Sequence, residues 1–600
     1  MQGLHDARGH RSSGLTIRFL VAVVSLACGL VPHRPAVGQS DIPLARGEFM
    51  AGTYPTGPYT FVNDAVGAGI FYNSGLFGGS TVIGNVEAGY VWGSHEVFNR
   101  SSLGLGNAVA RLVSAPGVTG QYDFHATMVG HVLAGTGYVA ASGTNPGGYT
   151  YVGIGMAPHA RLWSGAIATS YSTSTNSIGS FTSTPASTIP VYRQFFQGIS
   201  GTACDVINSS FGYDDPTASE PESIALDALA FQNPNVTFVA AAGNGGTDAV
   251  ASPGAVYNGI TVGSVGGTNF TTPSDFSSRG PVDFYNPVTN ATVSGVRAAV
   301  DIAAPGEQQY LAAYLGPTGS LAPLTNITQN PSPTNRYFIN QDGTSFASPT
   351  VAGGVALMKD AAKQWWLGMP ETALDTRVVK SVLMATTART DGWNNGQSLS
   401  GGVLRTTQSL DWTTGAGALD LEAAGLTYVN GATTDVQGSG GGTIGSSGWD
   451  LGDVAVNGFN DYLFSSPLSG LSELQVSLNW FAGGSFDATT NTGARSSFAN
   501  LDLQVWNIAN GGFSSLVAES TSLYNNTELL RFTLPAGKQY GLRVMLPGMI
   551  YDLNAATSPV TTATYGLAWN MVIVPEPTSL AMAAVGAAMA ATLASRRRAS

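Results

Sequence analysis

The sequence predicts an α/β domain with a doubly wound parallel sheet, followed by an antiparallel β-sandwich domain. First, 600 residues exceed what one hydrophobic core usually holds, so two folded domains are expected. Second, there are 77 glycines and only 10% of residues are charged, a composition typical of strands and tight turns. Third, short continuous apolar runs come first along the chain and alternating runs follow, which indicates two different kinds of sheet.

The N-terminus has the layout of an export signal. Three arginines precede the apolar run 19–31 (FLVAVVSLACGLV), and small residues follow at 36–38, so residues 1–38 are predicted to be a signal peptide. The alternative is a short membrane anchor, although a spanning helix needs about 20 apolar residues. Cys28 lies in this segment and Cys204 is the other cysteine of the sequence, so no disulfide or cysteine metal site is expected in one mature chain.

Residues 39–428 are predicted to form the first folded domain. Its Val-, Ile- and Ala-rich runs alternate with glycine-punctuated helical stretches, as in buried parallel strands joined by helices. The five runs are 81–86 (TVIGNV), 160–167 (ARLWSGAI), 204–212 (CDVINSSFG), 236–243 (VTFVAAAG) and 259–265 (GITVGSV). The Ser- and Thr-rich stretch 169–188 is predicted to be a surface insertion, because it lacks periodicity and is too polar to pack.

Residues 429–573 are predicted to form the sandwich. The composition shifts around the glycine-rich segment 438–448, and apolar residues then recur with a period of two. The alternating runs are 474–481 (LQVSLNWF), 500–508 (NLDLQVWNI), 529–534 (LLRFTL), 540–546 (YGLRVML) and 565–574 (YGLAWNMVIV). This repeated alternation predicts antiparallel strands, and because they carry no catalytic set, an accessory domain is expected.

Residues 574–600 combine a Pro-Glu-Pro turn, an apolar stretch at 580–594 and three arginines at 596–598. The stretch is short for a full span, and the arginines are expected on the cytoplasmic side. The layout resembles the PEP-CTERM sorting signal of bacterial exported proteins. That resemblance implies membrane retention, cleavage by sorting machinery and delivery to the cell surface or the medium. The alternative is a permanent C-terminal membrane anchor, which also exports the rest of the chain.

The charge balance excludes nucleic acid as a partner. The net charge is −12, and the only cluster of basic residues is the arginine run at 596–598. Binding to phosphates requires clustered Lys and Arg, which the body of the chain lacks.

A serine at the start of a predicted helix is the first candidate for chemistry. The segment 343–358 (GTSFASPTVAGGVALM) begins such a helix with Ser345, where the exposed N–H groups and the positive end of the helix dipole suit a nucleophile. Taken alone, a serine at this place is more often a helix cap.

A histidine block supplies a base for that serine. A hydroxyl becomes nucleophilic when a base accepts its proton, and neutral imidazole has a suitable pKa. His125, in the segment 124–135 (FHATMVGHVLAG), is the candidate. His95, His131 and His159 are interpreted as core histidines and stay outside the candidate site.

An asparagine at the end of a strand supplies an oxyanion donor. In the segment 241–246 (AAGNGG), the side-chain amide of Asn244 can stabilise the charge that acyl transfer builds on a carbonyl oxygen. The alternative is a turn residue that tolerates the left-handed conformation.

The histidine, asparagine and serine blocks resemble, in the same order, the signature blocks of subtilisin-like serine proteases, a resemblance that spans residues 65–428. Supporting matches are FSSRGP (276–281), DIAAPGE (301–307), MAPHARL (156–162), SVLMATT (381–387) and GAGALDLEAA (415–424). The resemblance implies a subtilisin-like fold and an endopeptidase that cleaves polypeptides through an acyl-enzyme. It makes Ser345 the nucleophile, His125 the general base and acid, and Asn244 half of the oxyanion hole, with the Ser345 N–H as the other half.

The third catalytic residue that the resemblance implies departs from the family. Subtilisin-like enzymes orient the histidine with an aspartate, and Glu87 occupies the matching place in the segment 85–98 (NVEAGYVWGSHEVF). A buried carboxylate that accepts the imidazole N–H fixes the tautomer, a role that glutamate can fill. The rivals are Asp64, which precedes the first strand, and Asp123, which is too close to His125 in sequence to reach its ring from another strand.

The resemblance also implies how substrate binds, because an extended polypeptide pairs in this family with the strand that matches 209–212. The implied substrate-binding residues are Ser210, Phe211, Gly212, Ala242 and Gly243. Several family members bind structural calcium, but the acidic residues here show no loop spacing for it, so no cofactor is required and calcium has no assigned site. The alternative function is that of a catalytically decayed scaffold, which would act as a surface binding or structural protein.

Overall fold

The computed structural model describes residues 62–136, 138–141, 149–152, 154–171, 180–267, 269–314, 337–431 and 440–574. The predicted signal peptide lies outside these ranges, as does the predicted sorting segment after residue 574. The described α-helices are α1 (Val62–Ala65), α2 (Gly69–Tyr72), α3 (Phe124–Ala134), α4 (Pro185–Gln197), α5 (Pro221–Gln232), α6 (Thr344–Ala362), α7 (Thr376–Ala385) and α8 (Leu421–Gly431). Short 3₁₀ turns lie at Glu96–Phe98, Ser101–Leu103, Trp365–Leu367 and Glu371–Leu374.

The strands fall into two groups along the chain. The first group is β1 (Val82–Glu87), β2 (Val109–Ser114), β3 (Tyr138–Ala141), β4 (Tyr149–Val152), β5 (Arg161–Ala166), β6 (Ser170–Tyr171), β7 (Phe181–Thr182), β8 (Val206–Ser209), β9 (Thr237–Ala241), β10 (Ile260–Gly266), β11 (Thr272–Pro273), β12 (Val282–Asn286), β13 (Ala291–Arg297), β14 (Ile302–Pro305), β15 (Gln309–Ala312), β16 (Tyr337–Gln341), β17 (Ser398–Ser400) and β18 (Val403–Thr406). The second group is β19 (Gly442–Ile444), β20 (Ser447–Ala455), β21 (Phe459–Phe464), β22 (Ser472–Trp480), β23 (Gly483–Asp487), β24 (Thr492–Ala509), β25 (Gly512–Ser520), β26 (Thr527–Leu534), β27 (Gln539–Asp552) and β28 (Thr562–Ile573).

A central sheet confirms the predicted doubly wound α/β domain. Its order is β11-β10-β9-β8-β1-β5-β2, with β14 beside β10. All neighbours are parallel except β10 and β11. The five predicted runs correspond to β1, β5, β8, β9 and β10. Strand β2 completes one edge and was not predicted, because an edge strand whose side chains are largely exposed carries no continuous apolar run.

Helices cover both faces of this sheet, and β1 shows why its sequence is apolar throughout. Ile83 belongs to the cluster that includes α3 and α6, whereas Val82 and Val86 belong to the cluster that includes α4 and α5. Gly84 allows α4 to approach closely, because a Cβ atom there would lie 2.5 Å from the ring of Phe195. The parallel sheet is therefore buried on both sides.

The end of the stretch 169–188 differs from the predicted polar surface insertion, and residues 172–179 lie outside the described ranges. Strands β6 and β7 pair within it as a short antiparallel ladder, and α4 begins at Pro185. Thr184 caps the helix, since its Oγ1 accepts the N–H of Ser187 while Ser187 Oγ accepts the N–H of Thr184. Ser187 and Thr188 are buried. Residues 169–171 and 180–183 are exposed or partly exposed, as predicted, whereas at 184–188 the polar residues cap the helix or pack in its first turn, so the prediction was wrong there.

The second domain is a β-sandwich, as predicted. One sheet has the order β20-β28-β22-β26, and the other has the order β17-β18-β25-β24-β27-β21-β19 with β23 beside β24. Most pairs are antiparallel, but β18 pairs in parallel with β25, and β19 pairs in parallel with β21. The hairpin β17–β18 therefore extends the sandwich sheet although it precedes residue 428 in the chain. The boundary between residues 428 and 429 stays a prediction.

The sandwich packs closely on two helices of the first domain. Against α7, Ser381 Oγ donates to the carbonyl oxygen of Gly566 (2.8 Å) and accepts from Asn479 Nδ2 (2.8 Å). Against α5, Gly493 lets the sandwich backbone approach, because a Cβ atom there would lie 2.5 Å from the Cα of Ala225. The two domains thus share a packed interface.

A buried ion pair crosses this interface. Arg495 Nη2 of β24 lies 3.4 Å from Asp227 Oδ2 of α5, and both side chains are at most 5% exposed. Asp227 Oδ1 also accepts the N–H groups of Tyr257 (2.8 Å) and Asn258 (2.9 Å). Removing one partner of such a pair leaves an unpaired buried charge, which destabilises a fold by about 3–5 kcal/mol.

We expect Arg495→Met to lower the stability of the whole protein strongly, because Asp227 then loses its buried cation. The matched control is Arg405→Met, since Arg405 pairs with Glu519 while nearly half exposed, and such surface pairs contribute less than about 1 kcal/mol. The measurement is the thermal unfolding midpoint of the two variants, supported by their rate of limited proteolysis. Equal shifts in the two variants would contradict the prediction.

Candidate active site

Glu87 and His125 meet where β1 ends and α3 begins. Glu87 Oε2 lies 2.9 Å from His125 Nδ1. The Glu87 side chain is 2% exposed and that of His125 is 27% exposed, so a buried carboxylate supports a ring that reaches the surface. The structure therefore brings together the predicted acid and the predicted base.

The two rival aspartates lie elsewhere. Asp123 caps α3, since its Oδ1 accepts the N–H of Ala126 at 2.8 Å. Asp64 lies in the short helix α1, on the chain segment before β1. Within the described part of the chain, neither aspartate bonds to the ring of His125. Asp123 instead fixes the start of the helix that carries this histidine.

The environment of His125 favours the protonated ring. Burial is the largest single influence and lowers the pKa of His125, but the charge and hydrogen bond of Glu87 and the charge of Asp123 oppose it. The net result is a pKa above the ordinary value of 6.5. An imidazolium that forms during a reaction is therefore stabilised by the carboxylate.

Ser345 is the second residue of α6, and its neighbour Phe346 lies beside the histidine. The ring centroids of His125 and Phe346 are 6.1 Å apart. Ser345 is 8% exposed, and its Oγ donates to the carbonyl oxygen of Ser210 at 3.1 Å. No contact within the described ranges joins Ser345 Oγ to a ring nitrogen of His125. Catalytic hydrogen bonds are often long or misaligned before substrate binds.

Ser210 joins the acid to the serine. Its N–H donates to Glu87 Oε1 (3.1 Å), and its Oγ donates to the carbonyl oxygen of Ser345 (3.0 Å). Ser210 directly follows β8, which pairs with β1 in the sheet. The carboxyl ends of two neighbouring parallel strands thus position Glu87 and the start of α6, at the kind of edge where α/β sheets bind ligands.

Asn244 follows β9 and points an amide toward the start of α6. Its Oδ1 accepts from both the N–H and the Oγ1 of Thr344, each at 2.9 Å, which leaves Nδ2 as the outward donor. A Cβ atom on Gly343 would lie 3.6 Å from both Asn244 Nδ2 and the backbone nitrogen of Ser345. The amide nitrogen of Asn244 and the backbone nitrogen of Ser345 therefore lie close to the same point, which is compatible with the predicted oxyanion hole.

Thr344 is a residue that the sequence reasoning missed. Besides holding Asn244, its Oγ1 accepts the N–H of Gly243 at 3.1 Å. It therefore fixes both the amide and the loop after β9. The signal that could have found it is its place between Gly343 and Ser345 at the helix start.

A second missed group is a buried polar network below the site. Asn208 Nδ2 donates to Ser210 Oγ (3.1 Å) and to Asn85 Oδ1 (3.3 Å), and Asn208 Oδ1 accepts from Ser348 Oγ (2.7 Å). Asn85 Nδ2 donates in turn to the carbonyl oxygen of Ala126. The available signal was an asparagine inside each of two otherwise apolar strand runs, since buried polar groups require partners.

The predicted substrate-binding residues differ in exposure. Ser210 is buried, whereas Gly212 is exposed. Phe211 is half-buried and packs edge-to-face on Phe181 at 5.8 Å. Ala242 is buried after β9, while Gly243 is half-exposed with φ of +104°, a conformation that favours glycine.

The other three described histidines have hydrogen bonds or ring contacts away from His125. His95 Nδ1 accepts the N–H of Val97 (3.3 Å), His131 Nδ1 accepts that of Ala312 (3.0 Å), and the ring of His159 is tilted against that of Phe77 with centroids 4.8 Å apart. In the described ranges, no group of three or more His, Cys, Asp or Glu side chains is placed to hold a metal ion. Structural calcium stays a prediction without a site.

No described helix combines the length and the apolar character that a membrane span requires. The predicted apolar stretch at 580–594 lies outside the described residues. Its surroundings nevertheless match a known signal, because the PEP-CTERM protein-sorting motif covers residues 574–598.

Comparison with known proteins assigns the main part of the chain to a protein family. Among solved structures, the prenylagaramide maturation protease PagA aligns with a TM-score of 0.39 and 20% sequence identity, covering 61% of this chain and 99% of that chain. The family model described as the Subtilase family (Peptidase_S8) matches residues 94–411, more than half of the 600 residues, and this range contains His125, Asn244 and Ser345. The chain therefore belongs to the subtilase family of serine proteases.

Proposed function

We propose that this subtilase is an exported serine endopeptidase that hydrolyses polypeptides through an acyl-enzyme at Ser345, with His125 and Glu87 completing a Ser-His-Glu triad. The observation that carries the proposal is the 2.9 Å contact between Glu87 Oε2 and His125 Nδ1. Glu87 precedes the range that the family model matches, so its role rests on this geometry.

In the proposed reaction, His125 Nε2 accepts the proton of Ser345 Oγ as that oxygen attacks the scissile carbonyl carbon. Glu87 accepts the Nδ1–H, which keeps Nε2 free to act as the base. The oxyanion lies between Asn244 Nδ2 and the N–H of Ser345. His125 then protonates the leaving amine, and a water activated by the same base hydrolyses the acyl-enzyme.

Because the side chain of Glu87 is longer than that of aspartate, its carboxylate must be held in a fixed position beside His125. Glutamate places its carboxylate about an ångström further from the backbone than aspartate, and misplacements of this size can cost about a hundredfold in rate. Here the two oxygens are divided between His125 and the N–H of Ser210, so both are constrained. This division supports glutamate as a working third member.

Export and sorting complete the proposal. Residues 1–38 direct export, and the PEP-CTERM motif engages sorting machinery, so the enzyme acts at the cell surface or in the medium with a transient or permanent C-terminal anchor. Residues 39–428 form the peptidase domain, and residues 429–573 form an accessory sandwich. No cofactor is required.

One observation favours the alternative of a catalytically decayed scaffold. Ser345 Oγ donates to the carbonyl oxygen of Ser210 and makes no hydrogen bond with His125 in the described structure. If that arrangement persists with substrate, the protein binds polypeptides without cutting them. Reaction with an active-site probe separates the two functions.

We expect purified protein from the whole chain to react with a fluorophosphonate probe and to cleave casein. Ser345→Ala abolishes both, and Glu87→Ala reduces both steeply because His125 loses its orienting partner. Asp123→Asn is the control for the rival aspartate, and it retains most activity because asparagine caps a helix as well as aspartate does. A folded protein that neither reacts with the probe nor cleaves casein would favour the decayed scaffold.

We expect Glu87→Asp to lose activity even though aspartate is usual in the family. The shorter side chain withdraws the carboxylate from His125 by about an ångström, which predicts a loss of about a hundredfold in kcat/KM. The measurement is peptide hydrolysis beside Glu371→Asp, which shortens an exposed glutamate after the far end of α6. Full activity of Glu87→Asp would show that the glutamate length is not required.

We expect kcat/KM to rise with pH as His125 becomes neutral. The pKa of His125 is raised above 6.5, so the base becomes competent only above that value. Glu87→Gln removes the negative charge that favours the imidazolium, so the midpoint of this rise moves to lower pH while the plateau falls. The check is the pH dependence of kcat/KM for both proteins, and an unshifted midpoint in Glu87→Gln would contradict the assignment.

A further inference from the structure

Two arginines lie in the interface between the two domains, on the ring of one tyrosine. Arg297 is the last residue of β13 in the first domain, and Arg495 belongs to β24 of the sandwich. Their guanidinium carbons lie 4.1 Å and 5.0 Å from the ring centroid of Tyr257. All three residues are buried. Two positive charges, one from each domain, are therefore held close together away from the surface.

The surroundings of these arginines are largely apolar. Tyr257 packs edge-to-face on Phe284 of β12 (6.2 Å) and on Phe498 of β24 (5.3 Å). The other buried members of this cluster are Ala218, Ala255, Ala482 and Tyr551. A charge in such an environment is costly unless an opposite charge lies beside it.

The carboxylates of this region balance only one of the two arginines. Asp227 Oδ2 lies 3.4 Å from Nη2 of Arg495. No carboxylate of the described chain forms an ion pair with Arg297. Asp215 is the other buried acid of this part of the first domain, and its oxygens accept backbone N–H and hydroxyl groups instead. The cluster therefore has one positive charge in excess.

Three donor groups of the cluster also have no acceptor among the described residues. They are Nε of Arg297, Nε of Arg495 and Oη of Tyr257, and all three atoms are buried. The Nη2 groups of the arginines are different, because that of Arg297 donates to the carbonyl oxygen of Ala255 and that of Arg495 to the carbonyl oxygen of Ala218. Buried donors are rarely left without an acceptor. Free donors together with an excess of positive charge indicate an acceptor that is negatively charged.

We propose that this interdomain cluster binds a small monovalent anion of the size of chloride, with Arg297, Arg495 and Tyr257 as its binding residues. A halide suits this region better than sulfate or phosphate, because the alanine and aromatic side chains that enclose it offer few further donors. The anion joins Arg297 and Tyr257 of the first domain to Arg495 of the sandwich. None of these residues belongs to the proposed catalytic set, so this inference does not depend on the proposed function.

The test is the effect of chloride on the thermal unfolding of the whole chain. Sodium gluconate replaces sodium chloride at constant ionic strength, because gluconate is too large for the site. An ion that binds only the folded state raises the unfolding midpoint, here by about 1 °C for each tenfold increase in chloride above its Kd. We expect Arg297→Met to abolish this response and Tyr257→Phe to weaken it. Arg405→Met is the control and keeps it, because Arg405 is a half-exposed arginine paired with Glu519.

Bromide locates the site directly, because crystals grown in sodium bromide should show an anomalous scattering peak beside Arg297 and Tyr257. Tyr257→Phe keeps the test decisive if Arg297→Met does not fold, since it removes only one hydroxyl group. A midpoint of the unsubstituted protein that ignores chloride would overturn the inference. So would an equal response in all variants, which would place the anion elsewhere, or the absence of bromide from this position.

Discussion

The contact between Glu87 and His125 is the constraint on which the arrangement of the site depends. A carboxylate that is 2% exposed is costly unless its oxygens find partners, and here one oxygen contacts the imidazole while the other accepts the N–H of Ser210. The carboxylate and its two partners come from β1, α3 and the residue after β8. The contact therefore requires that β1 and β8 are neighbours and that α3 begins directly above them, which is the order that the parallel sheet provides.

The sandwich contributes to this arrangement from the other side of the molecule. It covers α7 and α5, and the ion pair of Arg495 with Asp227 lies between the domains. The start of α5, at Pro221 and Glu222, also forms a wall of a surface groove that Phe211 lines. The position of that wall thus depends on residues more than 250 places away in the chain, so we regard the sandwich as part of the peptidase structure.

The sequence predicted those features whose cause is local. Strands β1, β5, β8, β9 and β10 are buried on both faces and so carry continuous apolar runs, whereas the edge strand β2 does not. Glu87 was identified because it ends such a run at the place where the family resemblance implies an aspartate. The hydrogen bonds of Ser210, Thr344 and Asn208 depend on which elements become neighbours in space, and no local pattern encodes them. The capped start of α4 was missed because small polar residues serve both surface loops and buried helix turns.

Helix α6 shows how the fold positions the proposed nucleophile at one end of a helix by holding the other end. Its residues from Thr344 to Ala361 are buried, so it lies across the sheet with little freedom to tilt. At the start, Thr344 bonds to Asn244 after β9 and Ser345 bonds to Ser210 after β8.

The opposite end of α6 is tied to the beginnings of the same two strands. Lys359 Nζ donates to the carbonyl oxygens of Asp205 (2.9 Å) and Asn235 (2.8 Å), which precede β8 and β9. Burial lowers the pKa of this lysine to about 7, and the charge of Asp205 partly opposes the decrease. Both ends of the helix are therefore anchored to the same pair of strands, so a rigid-body shift of α6 that moved Ser345 away from Glu87 would also strain the contacts of Lys359. The buried lysine therefore helps to hold the geometry of a site that lies at the other edge of the sheet.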